Sequence, residues 1–434
     1  VTDGPGPLAP APGDLAAFVR FLDAGRLPGQ LESLVESYVE AKTGRAFDDP
    51  VVLERLRRAI VAQKSGYWKA GERRRVSYRR GYAVLAYLAY HFPVYYFQSC
   101  RLLARLAGDG LLSSRMRVVD LGTGPGVVPL ALTTLGRYLP GFSAEVLPVE
   151  PAEEHREACR YLVRGFSEPG DSVRVRPALA ADAGALADPE IPGEIDLLVL
   201  SNLLNELPGD AASRAGIVTR WAAHLSPRGT VLLVEPADLE NATRLRAVQR
   251  ELIRAGLHLR HPCRFLWGSS CGEVECWSFE EAPAIRPTRL QEALASGSPE
   301  PYRYRNTDIK FAAAALGREP PPRLDCPGVD RRRTAPLSQL GRHANRRVAV
   351  LVAVMSGDLG DARSHVFKVC DGTARRPVFA VLPAYHAAPG NRVLLEAPYG
   401  SVLHLRDVLV RLNRKTGAFN LLVSRTSTAR TCDR

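Results

Sequence analysis

The sequence predicts an α/β protein in which a doubly wound parallel sheet is preceded by a helical domain and followed by a small β-barrel. Three changes of texture along its 434 residues predict this. Between Leu15 and Leu106 apolar residues recur at three- and four-residue intervals, with glycines near the segment ends, as in LAAFVRFLDAG and LESLVESYVEAKTG. That spacing puts one apolar face on each segment and predicts packed helices. From Arg115 the runs MRVVDLG, AEVLPVE, VRVRPAL, IDLLVLS and TVLLVEP alternate with helical segments, the pattern of buried strands joined by helices in a parallel sheet. DIKFAAAALGRE adds a last strand before the proline-rich REPPPRLDCPG. Beyond residue 346, runs such as RVAVLVAVMSG, SHVFKVCDG, RPVFAVLP and VLHLRDVLVRLN are divided by Gly, Asp, Pro and Asn turns at the spacing of a barrel. The expected domains are 1–112, 113–320 with a cysteine-rich segment at 261–280, a linker at 321–345, and 346–434.

Composition narrows the class. Hydrophobic residues at 46% and charged residues at 24% exclude gross disorder. The opening VTDGPGPLAPAPGD has neither a basic n-region nor an apolar h-region, so it reads as a flexible lead, and the expected location is cytoplasmic. The most apolar run, Tyr82 to Phe97, contains His91 and Pro93 and is shorter than the ~20 residues of a spanning helix; a buried helix pair and no membrane partner are expected. A formal charge of +12 favours polyanions such as RNA as partners. It concentrates in YWKAGERRRVSYRR (Tyr67 to Arg80) and in DRRRTAPLSQLGRHANRR (Asp330 to Arg347), for which a merely solvated face is the competing reading.

The run VVDLGTGPGVVPLAL is a strand ending in Asp120, a turn Gly122-Thr123-Gly124-Pro125-Gly126, and a helix. Glycines there let the backbone approach a ligand closely, beneath the free N–H groups of a helix start. A dinucleotide fingerprint would want glycine where Val127 stands. The second strand ends in Glu150, placed to accept two ribose hydroxyls. Asp182 follows the third strand, where an acid meets an adenine amino group, and the fourth ends at Ser201 and Asn202, in the crevice where such sheets bind ligands. This ordered set, over Arg115 to Pro236, resembles the class I (Rossmann-like) S-adenosylmethionine-dependent methyltransferases. The resemblance implies S-adenosylmethionine as cofactor. No amine-methylation N-P-P-Y motif and no cysteine nucleophile stands at the fourth strand, and no residue reads as a catalytic base, so the catalytic residues are unassigned and cofactor binding is better supported than methyl transfer.

HPCRFLWGSSCGEVEC crowds Cys263, Cys271 and Cys276 within fourteen positions. In a reducing compartment clustered thiols hold a metal or cluster rather than disulfides. The spacing selects neither zinc nor iron–sulfur, and Cys370, Cys326 and His261 are each candidates for a fourth ligand. The string HPCRFLWGSSCGEVECWSFE is similar to the cysteine pattern of the methyltransferase-like small-subunit ribosomal assembly factors of mitochondria and many prokaryotes, and YLAYHFPVYYFQSCRLLARL to the helix before their core. That resemblance implies a four-cysteine iron–sulfur cluster, 4Fe–4S with zinc as alternative, on Cys263, Cys271, Cys276 and Cys370. It further implies ribosomal RNA or the small subunit as partner, acting as methyltransferase or as non-catalytic assembly factor; a small-molecule methyltransferase is the third reading. The C-terminal runs are similar to an OB-fold, whose expected RNA contacts are Arg375, Arg376, Arg392, Arg406, Arg411, Arg414 and Lys415, with Phe367, Phe379 and Tyr385 as stackers or barrel core.

Overall fold

In the computed structural model the described residues are 6–67, 81–182, 193–263, 265–268, 271, 275–321, 324 and 326–432. The chain forms two units: Val1–Pro208 with Arg220–Val231 and Ala282–Ile309, and Gly209–Thr219 with Leu232–Glu281 and Lys310–Arg434.

Five helices open the first unit: α1 (Pro12–Ala24), α2 (Gly29–Thr43), α3 (Pro50–Tyr67), α4 (Ala83–Tyr90) and α5 (Phe92–Gly108). Prolines in the first turns of α1 and α5 cost no hydrogen bond, and left-handed Gly25 and Gly44 stop α1 and α2. The apolar run divides at His91 into α4 and α5. α5 buries Phe92, Tyr96, Phe97, Cys100 and Leu103, and the Tyr96 and Thr134 hydroxyls lie 2.7 Å apart.

The sheet follows, with β1 (Arg115–Leu121), α6 (Val127–Tyr138), β2 (Ser143–Val149), α7 (Glu153–Phe166), β3 (Val173–Val175), β4 (Ile195–Ser201), α8 (Ala211–Ala222) and β5 (Leu225–Pro236). β1 pairs in parallel with β2 on one side and β4 on the other, giving the order β3-β2-β1-β4-β5. The order reverses at β1, so the carboxyl ends of β1, β2 and β4 flank a switch-point crevice, the usual ligand position of such sheets.

α8 begins in the second unit and ends in the first, and β5 runs on from the first into the second, which continues with α9 (Leu239–Arg254), β6 (His258–His261) and β7 (Glu280–Ala282). α10 (Arg289–Ala295) returns to the first unit, where a Thr288–Gln291 capping box starts it and Arg289 pairs with Glu36 at 2.6 Å. In the second unit β8 (Ile309–Gly317) lies between β5 and antiparallel β6. A barrel then forms from β9 (Arg347–Val354), β10 (Ser364–Cys370), β11 (Val378–Pro383), α11 (Val393–Glu396), β12 (Val402–Leu412), β13 (Phe419–Leu422) and β14 (Thr428–Thr431). β13 pairs with β11 in parallel and with β12 antiparallel, which closes the ring β9-β10-β11-β13-β12; β14 extends β12. Five strands closed in this way, with the short α11 before the fourth, make an OB-like barrel.

Alternation along the strands divides the barrel's residues between two faces. Val350, Val352, Val354, Phe367, Val369, Leu403 and Leu405 fill the inside, joined by Leu337 and Leu340 from the basic segment ahead of β9. Leu351, Ala353, Cys370 and Val402 face outward, into a second apolar cluster with Leu266 and Tyr399. Among the described residues no helix is long and apolar enough to cross a membrane.

Candidate functional site

The loop after β1 is built for a close approach. Gly122, Gly124 and Gly126 all have positive φ, at 69°, 55° and 92°, a region that side chains with a Cβ avoid. A Cβ at Gly126 would stand 2.9 Å from Cys159 Sγ, and one at Gly122 would stand 3.0 Å from Leu203 Cδ1. Gly126 also starts α6, so its first N–H groups face the loop.

Glu150 ties this loop to β2. Its Oε2 accepts from the Gly124 N–H at 3.0 Å and its Oε1 from the Ala152 N–H at 2.9 Å. Burial raises its pKa, and these two N–H groups and Arg156 counter that while Asp182 adds to it. Asp120 is wholly buried; burial first, then Glu150, raises its carboxyl to about 7 against the pull of the Thr123 hydroxyl. Asp120 Oδ2 and Asn202 Oδ1 are buried without a hydrogen-bond partner among the described residues. Such orphans are uncommon in finished interiors and each calls for an explanation, of which a bound ligand is one.

Asn202, one residue beyond β4, has φ 56°, a strained conformation for a residue with a side chain and one that gathers at functional sites. Ser201 ends β4 beside it, half-buried, and Asp182 is exposed within electrostatic reach of Glu150. The predicted cofactor residues thus all lie on the crevice edge of the first unit. The sequence reading missed His155, which sits 4.0 Å from Glu150 Oε2 and 3.5 Å from the Cβ position of Gly124. Burial drops its pKa to about 4 and that of His91 to about 3.

In the second unit the Cys370 thiol is driven well up, first by burial and then by Cys263, Cys271 and Cys276, so all four lie in one electrostatic neighbourhood. Among the described residues no three His, Cys, Asp or Glu side chains converge with the geometry that would hold a metal ion. The donor type and the charge around them nevertheless fit a thiolate centre. Arg246, fully buried, donates to Gln249 Oε1, to the carbonyls of Ala313 and Ser278, and to Tyr399 Oη at 2.8–3.2 Å, with no carboxylate among these partners. Burial opposes its charge, yet Tyr399 and the thiols of Cys263, Cys276 and Cys271 hold its pKa above the ordinary value. Lys368, also buried, reaches Cys276 Sγ at 3.4 Å and the Trp277 carbonyl at 3.1 Å. Buried cations are costly unless negative charge faces them, and thiolates would supply it. Cys326 packs with Cys263 against the apolar cluster that holds Cys370, and lines a cleft of about 940 Å³ with Cys263, Trp267 and Arg331. The pattern gave no warning of Arg246 or Lys368.

The barrel candidates disperse. Phe367 is core, Phe379 is half-buried and Tyr385 is 78% exposed beside His386. Arg392 pairs with Glu396, Arg411 donates to Asn345, and Arg375 and Arg376 border a groove with Phe419. Arg414 and Lys415 are exposed in the β12–β13 turn. Residues 68–80, which carry the basic run between Tyr67 and Arg80, lie outside the described residues.

Among curated protein sequences none matches the chain. Solved structures similar to it include a magnesium protoporphyrin IX methyltransferase from Synechocystis PCC 6803 with bound SAH (11% identity, 63% of this chain and 100% of that one, TM-score 0.33). A second is an S-adenosylmethionine-dependent methyltransferase from Clostridium acetobutylicum (10%, 51% and 91%, 0.32), and a third TrmN from Thermus thermophilus (24%, 40% and 48%, 0.27). Scores this low carry no functional weight; the class I methyltransferase (Rossmann-like) fold with an OB-like barrel stands on the strand orders above. Residues 338–432 match the C-terminal domain of a family of unknown function, DUF8157, and residues 81–277, which hold the loop, Glu150, Asn202 and three of the four cysteines, match the mitochondrial small ribosomal subunit Rsm22 family.

Proposed function

We propose that the chain is an S-adenosylmethionine-binding, methyltransferase-like protein that acts on or binds small-subunit ribosomal RNA, with an iron–sulfur cluster on Cys263, Cys271, Cys276 and Cys370. The observation that carries the cofactor is the pair of partnerless buried oxygens on Asp120 and Asn202 beside three left-handed glycines. When bound, S-adenosylmethionine supplies an electrophilic methyl group on sulfur. Glu150 would accept the ribose hydroxyls, Asp182 would meet the adenine amino group, and Ser201 and Asn202 would orient a nucleophile at the sheet edge, where positioning accounts for much of the acceleration. The Rsm22 match supports the small subunit as partner, and the positive charge supports RNA. Four thiolates around either a 4Fe–4S core or zinc leave a net dianion, which Arg246 and Lys368 would balance. Reduced thiols suit a reducing compartment such as the cytoplasm.

A non-catalytic assembly factor is the second reading. It is favoured by the weakness of the imidazole beside the crevice, His155, whose pKa, lowered by burial to about 4, makes it a poor proton acceptor near neutrality. The test uses protein purified without oxygen. Calorimetric titration with S-adenosylmethionine should show binding that Glu150→Ala abolishes, and iron and sulfide should be stoichiometric and lost in Cys370→Ser. Methyl-labelled cofactor is then offered with small-subunit particles at several stages of maturation. Incorporation supports the enzyme, binding without incorporation supports the assembly factor, and absence of binding refutes both.

A further inference from the structure

The basic segment ahead of the barrel does not run free. Its turns at Arg331–Arg333 and Leu337–His343 lie against β9 and β12, with Leu337 and Leu340 in the barrel core and Thr334 bridged to Ala349. Between this segment and the two strands is a groove of about 780 Å³. It is lined by Arg332, Arg333, Arg347 and Arg406, with the imidazoles of His343 and His404.

The acids in the groove are already engaged. Asp330 caps the Arg332 N–H and pairs with Arg333, and Asp407 pairs with Arg347 at 3.2 Å and accepts from Thr426. Arg332 and Arg406 have no carboxylate partner among the described residues and are exposed. Asp407, with φ 57°, sits in a bulge where β12 slips against β9, and bulges re-aim side chains at binding sites. His404 and Arg406 are two residues apart and share the outer face, with Arg430 opposite His404 on β14. His404 is 9% exposed and its Nε2 has no hydrogen-bond partner among the described residues. Burial, then Arg406 and Arg430, disfavour its protonation. The result is a buried polar ring with unmet bonding capacity under arginines that lack counter-charges, which is the chemistry of a phosphate site.

We propose that this groove binds the phosphodiester backbone of single-stranded RNA. The arginines come from three separate segments and the volume exceeds what one phosphate fills, so successive phosphates rather than a lone anion suit it. The groove lies on the first and fourth barrel strands, not on the second and third, which commonly carry oligonucleotides in such barrels. The inference rests on the RNA-binding part of the proposed function and is independent of the cofactor.

The test measures fluorescence anisotropy of a labelled oligouridylate on the full chain over a range of salt. Arg332→Ala/Arg406→Ala should weaken binding by roughly tenfold per arginine and lower the log–log salt slope by about 1.4, at about 0.7 per phosphate contact on a single strand. Arg375→Ala/Arg376→Ala, at a different groove, should change neither. Unchanged binding in the first variant with loss in the second would overturn the proposal, as would equal competition by inorganic phosphate or a mononucleotide, which would define a small-anion site. S-adenosylmethionine titrations of the same variants separate the readings: failure of RNA binding with cofactor binding intact refutes the groove alone.

Discussion

Asp120→Asn should stabilise the protein at pH 8 and leave it nearly unchanged near pH 4. Burial raises the Asp120 carboxyl from an ordinary 3.8 to about 7, so the folded chain keeps a proton that the unfolded chain releases at lower pH. Between those two values the folded state binds more protons, and stability therefore falls as pH rises through the window. Below pH 4 both states are protonated and nothing is lost. Above pH 7 both are ionised and the whole difference is in force. A shift of about 3 units corresponds to roughly 4 kcal/mol. Asparagine keeps the shape and has no proton to lose, so urea unfolding of wild type and variant, compared at half-unit steps from pH 4.5 to 8.5, isolates the effect from every other carboxylate. The difference should grow with pH and level off above 7. Saturating S-adenosylmethionine should shrink it, because a cationic ligand facing Asp120 stabilises the carboxylate. A pH-independent difference, or one that grows toward acid, would show that Asp120 is ionised and partnered in the folded chain and would refute the reasoning.

Gly126→Ala places a Cβ 2.9 Å from Cys159 Sγ at a φ of 92°; thermal unfolding should show a loss of about 1–3 kcal/mol, and calorimetry should show weakened cofactor binding. Adding Cys159→Ala should recover the part due to the clash but not the part due to φ. Arg246→Met should barely alter the stability of metal-free protein, while in cluster-loaded protein it should cost about 3–5 kcal/mol, the usual result of leaving buried charge uncompensated; urea unfolding of both forms, with iron analysis, checks this.

The elements that read clearly from the sequence are those whose cause is local. The strand–glycine–helix unit around Asp120 repeats one chemical logic within a dozen residues, and Glu150 is found by counting to the next strand end. Left-handed φ at Gly122, Gly124 and Gly126 follows from the same residues that suggested it. Arg246 behaved otherwise. Its neighbours Leu245, Val248 and Leu252 define a buried helix face, and a charged residue beside them reads as the edge of that face; its partners Ser278, Ala313 and Tyr399 are 32 to 153 positions away. Leu337 and Leu340 were hidden by the arginines around them, which made a segment that plugs a barrel read as a linker.

Strand β10 shows most directly why period and charge must be read together. Phe367 and Val369 point into the barrel core, and Lys368 and Cys370 point out. In an isolated barrel the outward pair would face water, where a lysine is unremarkable and a cysteine is a liability. Here both are buried, at 4% and 7% exposure, so the outer face is covered by apolar surface that cannot itself satisfy an ammonium group. The Cys276 sulfur and the Trp277 carbonyl provide that partner. The inner face, by contrast, contains no thiol, and its valines and leucines hold the barrel together by burial alone. A centre assembled on the outer face can therefore be lost without melting β10, and its loss would act on the loop bearing Cys271 and Cys276 before it reached the barrel.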